Sequence, residues 1–164
     1  MIQGLDLGHA NVTEAEHWLR ETAVGLGPCA DLFACTHLVH GERPRVALSV
    51  SVPLTPAVAV DPEVAARVAI LHESRQGGRA VIYPGVAALT GTLPVADVLA
   101  LSAIEEVRLL GGYPPPLPQT LLETRDFVRP QWQDGRLVLM AMPAPGGRIA
   151  PFEVPNPTPC CAFH

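Results

Sequence analysis

Apolar positions between Asp61 and Gly112 fall into helix, strand and helix in turn, and they make the densest periodic signal in the chain. Asp61-Pro62-Glu63 supplies an N-cap acceptor, a proline at the first helical position and an acid in the first turn. Val64, Val68 and Leu71 follow at helical spacing, and Gly77-Gly78 stops the helix. Arg79 to Tyr83 (RAVIY) reads as a short buried strand. A second helix is expected from Thr92 or Pro94 towards Gly111-Gly112, with Asp97, Ser102, Glu105, Glu106 and Arg108 on one wet face.

Thr13 to Glu16 (TEAE) spells a capping box for an earlier helix carrying Ala15, Trp18, Leu19 and Thr22 on one face. Gly25 and Gly27-Pro28 end it. Leu32 to His40 and Arg45 to Leu54 read as a hairpin across Gly41-Glu42-Arg43-Pro44. In the second strand Val46, Leu48, Val50, Val52 and Leu54 share one face, with Arg45, Ala47, Ser49 and Ser51 on the other. That alternation predicts a half-buried strand. Pro53 and Pro56 end the pairing.

After a proline-rich connector, Tyr113 to Pro118, the chain turns extended. Thr120 to Val128, Arg136 to Met142 and Arg148 to Val154 predict a three-stranded antiparallel meander, with turns at Gln133-Asp134-Gly135 and Pro145-Gly146-Gly147. The sum is an α+β fold over residues 1–154: an N-terminal helix, a mostly antiparallel sheet and two central helices packed on one sheet face. A proline-rich tail, Pro155 to His164, follows.

With 164 residues and 48% hydrophobic content, one domain buries a full core, drawn from Val, Leu, Ile and Ala because aromatics make up only 5%. Arginine carries every basic side chain. The missing lysines exclude Schiff-base chemistry and a P-loop lysine. A net charge of -5 with dispersed arginine argues against nucleic acid and against an anionic membrane surface. No secretory leader is legible at the N-terminus, and Val86 to Ile104 is interrupted too often to span a bilayer. A cytosolic setting with reduced cysteines is therefore expected.

Two clusters offer chemistry. Cys160, Cys161 and His164 are soft and borderline ligands for Zn or Cu(I), although no CxxC knuckle supports them. Cys35 and His37 share a strand face with Phe33, whereas His40 points away. They would complete four-coordinate ligation only if the tail docked beside them. A Cys-His pair from Cys35 or Cys161 with His37, His72 or His164 would be the core of a thiol enzyme. Other motifs fail on context. GLGPCA (Gly25 to Ala30) spells a dinucleotide fingerprint but closes a helix instead of opening one. His72-Glu73 lacks the second histidine of a zinc protease, and no GxSxG elbow is present. Glu123, Arg125 and Asp126 read as a solvated strand face, and Glu105 with Arg108 as a helical i,i+3 pair. The expectation is a non-catalytic binding protein for a protein partner or a small apolar ligand, with self-association left open. Metal binding and thiol catalysis are the alternatives.

Overall fold

The computed structural model describes residues 1–54 and 59–155. Its strands form one mixed, mostly antiparallel sheet in the order β1 (Gln3–His9), β3 (Arg45–Val50), β2 (Ala34–Val39), β4 (Arg79–Ile82), β8 (Gln131–Gln133), β9 (Arg136–Ala144), β10 (Arg148–Pro151), β7 (Leu121–Glu123) and β5 (Thr92–Pro94), with β6 (Glu106–Leu109) also paired to β9. Among the described residues three α-helices accompany it, so the class is α+β.

The first strand, β1 (Gln3–His9), has no counterpart in the apolar pattern. Its inward positions explain why. Helix α2 (Pro62–Glu73) lies so close that a Cβ on Gly4 would run into the Ala65 carbonyl. Asp6, fully buried, is held by Arg45 at 2.7 Å. A glycine and a paired aspartate do the work that alternating hydrophobes usually advertise.

Helix α1 (Val12–Leu26) is capped two residues earlier than TEAE suggests. Asn11 Oδ1 accepts from the Glu14 N–H at 2.9 Å, and Glu14 Oε2 accepts from the Ala10 N–H at 2.9 Å. This resembles a capping box, except that the acid reaches Ala10, one residue before the cap, instead of the cap's own N–H. Glu16 is thereby released for a different task.

Strands β2 (Ala34–Val39) and β3 (Arg45–Val50) form the expected hairpin, and β1 joins the free edge of β3. On one face α1 packs Ala15 and Leu19 onto Leu5, Ala34, Val46, Leu48 and Val50. On the other, Val64 and Val68 of α2 pack onto Val39 and Ala47. The face of β3 expected to meet water is therefore covered. Ala47 and Ser49 are buried because α2 rests on them, and their small size permits that contact.

The two central helices pack into different clusters of the core. After β4 (Arg79–Ile82) and β5 (Thr92–Pro94), helix α3 (Val95–Leu101) places Val95 and Val98 in a second core with Ile104, Leu122, Leu137 and Leu139. It ends at Ser102, ten residues short of the expected stop, and β6 (Glu106–Leu109) follows in parallel with β9. Glu106 and Arg108 alternate with Val107 and Leu109, so the polar stripe has a strand's period. Arg108 pairs with Glu106 at 3.1 Å, and Glu105 accepts from the Leu137 N–H.

The meander exists but is built from β8 (Gln131–Gln133), β9 (Arg136–Ala144) and β10 (Arg148–Pro151). The segment expected as its first strand yields only β7 (Leu121–Glu123), which runs parallel to β10 and antiparallel to β5. Arg125 and Asp126 adopt left-handed φ of 54° and 52°, which ends extension there. Strand β4 joins the two halves, pairing with β2 on one side and β8 on the other. Among the described residues no helix is long and apolar enough to cross a membrane.

Candidate functional site

Strand β4 starts at Arg79, and the residues before it, Gly77 and Gly78, carry the chain from α2 into the sheet. At their level β2 contributes His37 and Leu38, while β8 contributes Trp132, whose backbone N–H donates to the Gly78 carbonyl at 3.0 Å. A hollow is left where two side chains are missing. It opens into a cleft of about 820 Å³ walled by His37, Leu38, Arg67, Trp132, Phe152 and Val154. The glycine at 78 is obligatory. Its φ is +120°, and a Cβ there would stand 2.9 Å from His37 Cε1 and 3.1 Å from Cys35 Cβ. Gly77 is different, because a Cβ would meet only Leu71, at 3.7 Å. Gly78→Ala is therefore expected to cost about 1–3 kcal/mol of stability, and Gly77→Ala less than about 0.5 kcal/mol. Urea midpoints of the two variants check this, and equal losses would refute the assigned role of Gly78.

A chain of polar side chains lies under the cleft wall. Ser49 Oγ is 2.7 Å from His37 Nε2 and 2.8 Å from His72 Nδ1, and all three residues are buried. A hydroxyl both donates and accepts, so it links two neutral imidazoles. The pKa of each ring is lowered to about 4, by burial above all, with the neighbouring His72 adding to the shift at His37. At neutral pH both rings are uncharged. Phe33 and Trp132 pack around them, with Phe33 6.1 Å from His72 and 5.6 Å from Trp132 between ring centres.

Cys35 lies beside this chain with no exposed surface, and burial pushes its thiol up to about 12, only partly offset by Ser49 and Trp132. It carries no thiolate at neutral pH, so its nucleophilicity is minimal. The buried indole N–H of Trp132 has no hydrogen-bond partner among the described residues. Arg75, just beyond α2, stacks its guanidinium 5.1 Å from the Trp132 ring centre.

Behind the cleft Glu16 anchors a charged cluster. Its carboxylate receives Arg79 Nη1 at 2.6 Å, and Arg129 through Nε at 3.0 Å and Nη2 at 2.9 Å. Arg79 also grips Glu153 through Nε at 2.6 Å, while Arg129 stacks 4.1 Å over Phe127. Burial acts to raise the pKa of Glu16, but hydrogen bonds and charge from Arg129 and Arg79 outweigh it and the net shift is downward. This cluster fixes Arg79 and the 152–154 segment, and so one wall of the cleft.

Of the metal ligands suggested by sequence, Cys35 and His37 do share a sheet face, but the Nε2 of His37 is engaged by Ser49. Cys160, Cys161 and His164 lie outside the described residues. Among the described residues no group of three or more His, Cys, Asp or Glu side chains is placed to hold a metal ion. Glu123, read as part of a solvated face, pairs with Arg148 at 3.3 Å, and Asp126 accepts from the Gly91 N–H. The residues that sequence reasoning missed are Ser49, Trp132, Gly77 and Gly78. The available signal was a serine between Leu48 and Val50 in an otherwise apolar strand, paired with Cys35 and two residues along the strand from the His37–Ala47 pair. Family models, curated proteins and solved structures yield no match to this chain.

Proposed function

We propose that this protein binds a small organic molecule in the cleft at Gly77-Gly78. The observation that carries this is the cleft itself, a concave site of about 820 Å³ with apolar walls and a few fixed polar groups. Such a volume is within the range typical of small-molecule sites, and His37 is held neutral and oriented from behind. The buried, protonated Cys35 favours binding over thiol catalysis at this place.

A thermal-shift series tests the reading. Wild type and Gly77→Leu are compared against a panel of small organic acids, amides and amines. Leucine at 77 enters the cleft from a position free of backbone strain, so the variant is expected to fold but not to bind. A ligand at one hundred times its Kd stabilises by about 2.7 kcal/mol, or roughly 5–10 °C in a chain of this size. Stabilisation of wild type alone is the expected result. Equal shifts in both proteins, or none from any compound, would count against the cleft.

A further inference from the structure

We infer that the molecule taken by the cleft is an organic anion, a carboxylate on a compact apolar body. This inference rests on the binding role proposed above. Its ground is a mismatch of charge between the chain and the cleft. The whole chain carries -5, yet among the described residues Glu153 is the only carboxylate residue along the cleft wall. That carboxylate is neutralised in place by Arg79. Arg67 also lines the cleft, and it makes no ion pair among the described residues. Arg75 makes none either, and it stands over the ring of Trp132, which lines the same cleft. Most guanidinium groups of this protein are matched to acids; of the four without an ion pair among the described residues, Arg67 lines this hollow and Arg75 stacks on Trp132, one of its wall residues.

The rest of the lining agrees with a ligand of mixed character. Gln76, Gln131 and Gln133 offer amide donors at the edge. Leu38 and Phe152, 66% and 57% exposed, present bare hydrocarbon beside them. Exposed apolar side chains next to unpaired cations suit an acid whose charged end meets arginine and whose body covers the apolar surface. The imidazoles contribute no competing charge, because both are neutral. A guanidinium binds a planar carboxylate through two parallel hydrogen bonds, which adds geometric selectivity to charge.

The experiment compares 2-naphthoate with 2-naphthamide, which share a ring and differ in charge, by calorimetry at low and high salt. Wild type and the Arg67→Gln/Arg75→Gln double variant are titrated. Both positions are exposed on the surface, so the double variant is expected to fold. Wild type should bind the naphthoate at least tenfold more tightly than the amide, and the preference should shrink as salt screens it. The double variant should bind both compounds alike. Equal affinity of wild type for acid and amide would overturn the anion inference and leave the binding role standing. A naphthoate preference that survives in the double variant would remove the two arginines from the inference. No binding of either compound to wild type would overturn the inference, and the thermal-shift panel then decides the binding role separately.

Discussion

Acidification from about pH 6.5 to about pH 4 should strip stability from this protein, at up to about 2.7 kcal/mol per pH unit. The cause is the pair His37 and His72, whose folded pKa values are both lowered to about 4 by burial. In the unfolded chain the same rings titrate near their ordinary value of 6.5. Between those limits the unfolded state binds protons that the folded state refuses, so stability rises with pH and falls as acid is added. Each ring accounts for at most about 1.4 kcal/mol per pH unit, which gives the figure for two. His9, also lowered by burial, acts in the same direction. Glu16 has the opposite kind of shift and acts in a lower window, because its stabilisation disappears only as its depressed carboxyl protonates. Urea midpoints from pH 7 to pH 4.5 should thus fall steeply in wild type and about half as steeply in His72→Gln. A flat profile across that range would mean that the imidazoles are not buried as described.

Glu16→Gln should cost about 3–5 kcal/mol, the usual penalty for removing one partner of a buried ion pair. The amide keeps the size of the side chain but leaves Arg129, with only 7% of its side chain exposed, lacking a counter-ion. Arg79 keeps Glu153, so its share of the loss is smaller. Arg20 stands 3.8 Å from the same carboxylate with a side chain 56% exposed, and Arg20→Gln should cost less than about 1 kcal/mol. Denaturant unfolding of the two variants settles the comparison. Similar losses would show that Glu16 is an ordinary helix-surface acid, as its place in TEAE suggests.

That misreading shows where the sequence was informative and where it was silent. Elements set by local chemistry were legible: the Asp61 cap and Pro62 of α2, the alternation in β3, and the turn at Asp134-Gly135. Elements whose inward residues serve a distant partner were hidden. Strand β1 carries Gly4 for α2 and Asp6 for Arg45, and β6 was absorbed into a helix because Glu105, Glu106 and Arg108 mimic a polar stripe. The α+β class followed from the legible set, but the faces did not, since no local period states that α1 and α2 lie on opposite sides of β3. The site behaved similarly. His37 and His72 stand out as residue types, but Ser49, which joins them, is a small polar residue with no local signature. Gly77-Gly78 announced the end of a helix and gave no sign of the hollow between His37 and Trp132. Contacts across 12 and 23 residues of chain assemble this site, and hydrophobic spacing does not encode them.

The most direct measurement is NMR mapping of the Gly77 and Gly78 amides, the Trp132 indole N–H and the His37 ring while small organic ligands are titrated. A ligand seated in the cleft should shift these signals together and before any others, with the His37 ring remaining neutral at pH 7. A ligand that binds but leaves all four signals unmoved, or a His37 ring that titrates near 6.5, would contradict that expectation.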